Sequence, residues 1–177
     1  MRLFLGTFLD KELVEKIPFD EIKNLFKEDL KPIKKENIHM TWIFLGNVEA
    51  RLITSLQEII NKHINIFKGL IFKSKSLELW PPKRDPRLIV LSGELNKQIS
   101  LSQIIQDLKH VCNPNVKEEF TPHITIIRFK KDKTINKKIE LPKMENFSWQ
   151  IKEISLVESV LTSERPNYEK IRNWDLN

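Results

Sequence analysis

Two histidines in this sequence are each followed, two residues later, by a threonine. His39 is paired in this way with Thr41, and His123 with Thr125, 84 residues further along the chain (123 − 39). An imidazole titrates near neutral pH and can give or take a proton, and a hydroxyl can donate a hydrogen bond to a phosphate oxygen. Two such pairs facing one cleft could open a phosphodiester, with one histidine as general acid and the other as general base.

Both pairs lie in apolar segments whose composition predicts β-strands. Side chains two residues apart in a strand point to the same side, about 6.5–7 Å from each other. Each histidine therefore shares a face with its threonine, while Met40 and Trp42, or Ile124 and Ile126, point to the core. Because the pattern occurs once in each half of the chain, it indicates two related halves that face each other.

The other two histidines, His63 and His110, lack a threonine at this spacing and fall in predicted helices. We interpret them as structural or surface residues. A metal site would need three or four converging ligands, and neither histidine strand has a carboxylate on the same face. We therefore expect no metal ligand and no other cofactor.

Composition limits the class of protein. The 177 residues are 40% hydrophobic, enough for one compact domain, and 30 Lys and Arg against 24 Asp and Glu give a net charge of +6, which favours polyanionic partners. The only cysteine, Cys112, excludes an intrachain disulfide and a cysteine-based metal cluster. No segment reaches the length of a membrane span. We expect a cytoplasmic monomer without membrane contact.

Strand and helix patterns alternate along the chain. Hydrophobic periodicity and turn residues predict strands at 1–9, 38–45, 70–79, 88–92, 120–129, 147–161 and 168–176, and helices at 10–26, 49–67 and 99–111. Pro18 is expected to divide the first helix, and a turn is expected at Pro166 and Asn167. Interleaved strands and helices with hairpin-like neighbours predict an α+β fold with antiparallel sheets.

A basic loop precedes the strand predicted at 88–92. It carries Lys83, Arg84 and Arg87 among three prolines, which cannot hold a strand ladder. These cations could guide the phosphates of a polyanionic partner or could only solubilise the loop, and the sequence does not separate the two roles.

The two histidine segments resemble those of the two-histidine phosphoesterases, in particular the RNA 2′,3′-cyclic phosphodiesterases once called 2′-5′ RNA ligases. The resemblance covers nearly the whole chain and rests on the opening strand at 1–4, the segments 38–46 and 120–128, and Tyr168 near the end. It implies a bilobal α+β fold, residues 1–177 forming one domain, with two pseudo-symmetric lobes whose antiparallel sheets line a central cleft and whose helices pack outside.

The resemblance also implies an activity and residue roles. The enzyme would hydrolyse 2′,3′-cyclic phosphate ends of RNA to 2′-phosphate ends without a metal. His39 would be the proton donor and His123 the proton acceptor, while Thr41, Thr125 and Arg128 would bind the phosphate. The partner implied is an RNA or oligonucleotide with a cyclic phosphate end.

Other activities fit the same motifs. A relative that cleaves or joins 2′-5′ linked ends would use the same histidine pair, and an RNA-binding module would bind phosphates without turnover. Two positions depart from the family's pattern: Trp42 replaces a small aliphatic residue, and Phe8 stands where an acidic residue is frequent. Neither departure removes a catalytic group.

Overall fold

The computed structural model describes residues 1–112, 114, 120–131, 133–161 and 166–177. These residues contain nine strands and four α-helices, in the order β1 (Arg2–Phe8), α1 (Lys11–Val14), α2 (Phe19–Phe26), β2 (Leu30–Pro32), β3 (His39–Asn47), α3 (Ile53–His63), β4 (Ile71–Trp80), β5 (Leu88–Leu95), α4 (Ser102–Leu108), β6 (His123–Phe129), β7 (Ser148–Gln150), β8 (Glu153–Leu161) and β9 (Pro166–Asp175). In the described part, no helix is long and apolar enough to cross a membrane.

The strands form one antiparallel sheet with two similar halves. Its order is β7-β4-β5-β6-β3-β1-β8-β9, and β2 pairs with β6 beside this path. We call β3, β1, β8 and β9 the first half-sheet, and β6, β5, β4 and β7 the second. Each half-sheet is a row of four strands whose innermost strand begins with a motif histidine. The expected α+β fold with antiparallel sheets and outer helices is confirmed.

The main core lies on the side of the sheet away from the histidines. Helix α3 buries Leu56 and Ile60, and α4 buries Ile104 and Leu108. Residues four apart lie on one side of a helix, so each helix lays a single apolar face against the sheet. The sheet meets them with residues such as Ile124, so the histidine side is left without a helix layer among these elements.

Three predicted features differ from the structure in more than the position of their end residues. The helix predicted at 49–67 has an α-helical centre, α3, flanked by short 3-10 turns at both ends. The long strand predicted at 147–161 is two strands, β7 and β8, in opposite half-sheets. β7 pairs with β4, whereas β8 pairs with β1 and β9. Alternation could not reveal this break, because both pieces bury one face in the same core.

The third difference concerns the last turn. Pro166 and Asn167 belong to β9 and pair with Leu161 and Val160, so placing the turn at these two residues was wrong. The connection between the paired strands falls at 162–165, outside the described residues. The division of the first helix at Pro18 is confirmed, since α1 ends before this residue and α2 begins after it.

Candidate active site

The two motif strands lie side by side at the centre of the sheet. β3 and β6 pair antiparallel, with Met40 opposite Ile124. Continuing this register by one residue in each direction places His39 beside Thr125, and Thr41 beside His123. Met40 and Ile124 are fully buried on the core side, whereas the two histidines and two threonines are partly exposed on the other side. The structure therefore brings the four predicted residues to one face.

The two histidines are diagonal neighbours in this pairing. In a regular antiparallel ladder, such diagonal side chains lie about 7–8 Å apart. The strands pair only at Met40 and Ile124, so they separate on either side of this point. We call the surface between the two imidazoles, on the side of the sheet opposite Met40 and Ile124, the cleft.

Each imidazole is fixed by the backbone two residues before it. The Nδ1 atom of His39 lies 2.7 Å from the carbonyl oxygen of Asn37, and the Nδ1 atom of His123 lies 2.8 Å from that of Thr121. Because a carbonyl oxygen can only accept, Nδ1 donates in both bonds and carries the proton. Among the described residues, the Nε2 atom of each ring has no hydrogen-bond partner, so it can take or give a proton in the cleft.

A bulge follows each motif at the same position. In β3, Gly6 pairs with Thr41 and Leu5 with Ile43, so Trp42 has no partner across β1. In β6 the equivalent residue, Ile126, is skipped in the pairing with β5. A bulge adds one residue to a strand and changes which side the following residues face.

The bulges bring the fifth residue after each histidine to the cleft side. Simple alternation would point Phe44 and Arg128 into the core, yet both are exposed, and Phe44 is 46% exposed. The two half-sheets therefore place equivalent histidines and threonines in the cleft but differ here, with an aromatic ring on one side and a guanidinium on the other.

Arg128 lies close to the first histidine. Burial is the main cause of the lowered pKa of His39, and the positive charge of Arg128 lowers it further. Burial also raises the pKa of Tyr168, and the charge of Arg128 partly offsets that rise. Among the residues that the structure describes, Arg128 forms no ion pair. A guanidinium in this position is available for an anion in the cleft.

Aromatic rings enclose His39. Its ring stacks on Phe4 with centroids 4.8 Å apart, and Phe8 and Tyr168 lie 5.5 and 5.1 Å away. Burial among these rings lowers the pKa of His39 from 6.5 to about 4. The hydrogen bond to Asn37 raises this pKa, whereas the charges of Arg128 and His123 lower it further. The free protein therefore holds His39 neutral at pH 7.

The close packing around His39 depends on a glycine. Gly6 pairs with Thr41, and a Cβ atom on Gly6 would lie 2.9 Å from the Phe4 ring and 3.0 Å from the carbonyl oxygen of Met40. The missing side chain makes space for the Phe4 ring, which in turn supports the imidazole of His39.

His123 packs against the ring of Trp80, which a hydrogen bond to a carboxylate holds in place. Trp80 lies 4.6 Å from it, centroid to centroid, and its indole N–H donates to the Glu78 carboxylate at 2.9 Å. Burial would raise the pKa of Glu78, but hydrogen bonds from Ser92, Trp80 and Ser76 keep it below its usual value. Burial also lowers the pKa of His123, and the hydrogen bond to Thr121 offsets part of this decrease.

The family resemblance named Phe8 and Tyr168, but nothing in the sequence placed any residue next to the rings of the two histidines. Phe4, Phe8 and Tyr168 around His39, and Glu78 and Trp80 behind His123, become neighbours only through strand pairing. The alternation of Phe4, Gly6 and Phe8 along β1 was the available signal, since it places two rings on one face.

The remaining predicted residues lie on helices, in a loop and in the core. His63 bonds through Nε2 to Asp107 at 2.8 Å and so joins α3 to α4, while His110 is exposed after α4, as expected for structural and surface histidines. The loop with Lys83, Arg84 and Arg87 is exposed and joins β4 to β5 next to Trp80. The buried Trp42 donates its indole N–H to Thr7 at 2.7 Å, which accommodates this ring in the core.

The arrangement suits acid–base chemistry at one phosphorus atom. Two imidazoles with free Nε2 atoms stand on neighbouring strands, each with a threonine beside it, and Arg128 adds a positive charge. In the described parts of the chain, no group of three or more His, Cys, Asp and Glu side chains could hold a metal ion. That the reaction needs no metal stays a prediction.

Known proteins resemble this chain over its full length. It is 30% identical over 179 residues to the RNA 2′,3′-cyclic phosphodiesterase of Methanocaldococcus jannaschii, covering 98% of this chain and 100% of the relative. It is 31% identical over 193 residues to the Aquifex aeolicus protein of the same name, covering 99% and 97%. No protein-family model matches the sequence.

A solved structure has the same fold. The crystal structure of Escherichia coli LigT complexed with 3′-AMP superposes with a TM-score of 0.74, covering 99% of this chain and 97% of that chain at 24% identity. At this identity, the likeness shows that the two proteins share their architecture.

Proposed function

This chain belongs to the RNA 2′,3′-cyclic phosphodiesterase family, and we propose that it hydrolyses 2′,3′-cyclic phosphate ends of RNA to 2′-phosphate ends with His39 and His123 as its acid–base pair. The observation that carries the proposal is that the two histidines have the same position and the same hydrogen bond. Both stand on paired strands, and both have Nδ1 bonded to the carbonyl two residues earlier.

The proposed reaction is one displacement at phosphorus. A water molecule loses a proton to Nε2 of His123 and attacks the phosphorus atom. The bond from phosphorus to the ribose 3′ oxygen breaks on the opposite side, and that oxygen takes a proton from Nε2 of His39. The phosphate stays on the 2′ oxygen, and a proton exchange with solvent restores the pair.

Three further residues are proposed to hold the phosphate. The hydroxyls of Thr41 and Thr125 lie next to the opposite histidine in the strand register and can donate to the nonbridging oxygens as charge grows on them. Arg128 supplies a cation that can form two hydrogen bonds to the phosphate.

Binding of the substrate is proposed to favour the protonated form of the general acid, His39. With a pKa of about 4, His39 is mostly neutral at pH 7 in the free protein, partly because Arg128 and His123 are near. A bound phosphate anion offsets these positive charges and so raises the pKa of His39. The lowered pKa of His123 keeps this ring neutral at pH 7, as a base requires.

The proposal includes the state in which the protein works. Residues 1–177 act as one two-lobed domain, as a monomer in the cytoplasm, with RNA as the partner. Light scattering after gel filtration tests the monomer, for which a mass near 21.0 kDa is expected.

A turnover assay tests the activity. A short RNA with a terminal 2′,3′-cyclic phosphate is incubated with the wild type, His39→Ala and His123→Ala in excess chelator, and phosphorus NMR identifies the product. Turnover to a 2′-phosphate is expected in the wild type, with a loss of about 10²-fold or more in each variant. His110→Ala, an exposed histidine outside the cleft, is the matched control.

Three results would contradict the proposal. They are loss of wild-type turnover in chelator, near wild-type turnover in either motif variant, and a 3′-phosphate product. Binding of the RNA without turnover in the wild type would favour an RNA-binding module instead.

A further inference from the structure

A second cation stands directly beside Arg128 at the outer end of the cleft. In the pairing of β2 with β6, Lys31 is the cross-strand partner of Arg128, and Leu30 is the partner of Phe129. Leu30 and Phe129 are buried in the core, whereas Lys31 and Arg128 are exposed on the other side. Lys31 therefore shares the cleft face with Arg128 and the two histidines.

This pair of cations is unfavourable unless an anion binds to it. Directly opposed residues in an antiparallel pair have Cβ atoms about 4.5–5.5 Å apart, and like charges at this distance destabilise the pair. On the other side of Arg128, β5 supplies Leu88, which has no charge. Among the described residues, neither Lys31 nor Arg128 forms an ion pair.

A nearby carboxylate is already engaged. Asp29, two residues before Lys31, accepts an ion pair from Lys133 at 2.7 Å. The sheet thus brings two positive charges together at the mouth of the cleft and directs this acidic group to another partner. An anion that bridges Lys31 and Arg128 would relieve their repulsion.

We infer that Lys31, together with Arg128, forms a second phosphate subsite that binds the phosphodiester preceding the terminal nucleotide of an RNA chain. The guanidinium of Arg128 has five N–H donors, so it can contact this phosphodiester as well as the reacting phosphate. The inference rests on the proposed function, because that function places the reacting phosphate between the histidines. Arg128 lies five residues beyond His123 on the same strand, so the subsite is outward from the reacting group. The preferred substrate is then an RNA strand with at least one internal phosphodiester, rather than a cyclic mononucleotide.

Binding of two product analogues tests this subsite. One is a trinucleotide RNA that ends in a 2′-phosphate, and the other is a nucleoside 2′-monophosphate, which lacks the internal phosphodiester. The Kd values are measured for the wild type, for Lys31→Gln and for Lys109→Gln. Lys109 is an exposed lysine after α4, on the helix side of the sheet, so its variant controls for the same change in net charge.

A selective loss of affinity is expected. Lys31→Gln should weaken trinucleotide binding by about threefold to tenfold more than mononucleotide binding, and Lys109→Gln should leave the ratio of the two Kd values as in the wild type. Because each single-strand phosphate contact contributes about 0.7 to the slope of log K against log salt, Lys31→Gln should lower that slope by about 0.7.

An unchanged ratio of Kd values, or an equal change in Lys109→Gln, would overturn the inference. The same preparations are assayed for turnover of a cyclic trinucleotide. If Lys31→Gln changes the ratio of the two Kd values as predicted but the wild type does not turn over the cyclic trinucleotide, the proposed function is wrong and the subsite stands. If the wild type turns over the cyclic trinucleotide and Lys31→Gln has the same ratio of Kd values as the wild type, the proposed function stands and the subsite is wrong.

Discussion

The lowered pKa of His39 makes the protein less stable in acid by an amount that one substitution can reveal. A shift from 6.5 to about 4 corresponds to about 3 kcal/mol at most, at about 1.36 kcal/mol per pH unit. Because the ring is partly exposed, solvent screening reduces this to roughly 1–3 kcal/mol. The folded state favours neutral imidazole, so this stability is present above pH 6.5 and is lost as the pH falls toward 4.

His39→Asn removes the titrating ring and keeps an amide that can donate to the Asn37 carbonyl. Urea unfolding, followed by tryptophan fluorescence, is measured for both proteins at several values between pH 7 and 4. The variant should be less stable at pH 7, because it loses packing against Phe4 and Tyr168. The difference between the two proteins should then narrow by roughly 1–3 kcal/mol at pH 4. Parallel loss of stability in both proteins would refute the lowered pKa.

Three further predictions concern activity. The value of kcat/KM, which reports the free enzyme, should fall as the pH rises above the lowered pKa values of the two histidines. The value of kcat should stay constant to a higher pH, because the bound phosphate raises the pKa of the general acid, His39. Superimposable pH profiles of kcat/KM and kcat would argue against protonation of His39 on substrate binding. Gly6→Ala should displace the Phe4 ring, destabilise the fold by about 1–3 kcal/mol in urea unfolding and lower kcat, and a variant with wild-type stability and kcat would show that this packing is not needed. Trp80→Leu should lower kcat more than Trp80→Phe, which keeps a ring beside His123 but loses the bond to Glu78; equal kcat values in steady-state assays would exclude a role for the ring.

Local pattern predicted the histidine strands and the side of the sheet that their residues face. Strict alternation around His39 and His123 placed each threonine with its histidine and the intervening residue in the core, and the burial of Met40 and Ile124 agrees. Such predictions succeed because the two-residue period of a strand is a property of the backbone itself.

Features that depend on strand pairing could not be predicted from the sequence. The bulges at Trp42 and Ile126 become visible only when the partner strands are aligned, and the one at Ile126 explains why Arg128 points into the cleft. In the same way, Lys31 is 97 residues from Arg128 in the chain (128 − 31) and becomes its neighbour only through the register of β2 and β6.

The most direct test of the central claim is the kinetic behaviour of a double variant. If His39 and His123 act as one acid–base pair on one phosphate, kcat/KM for the cyclic RNA in the combined His39→Ala and His123→Ala protein should be about as low as in the slower single variant, since either loss disables the unit. If the two losses multiply, the histidines act independently, and the single acid–base pair described here is wrong.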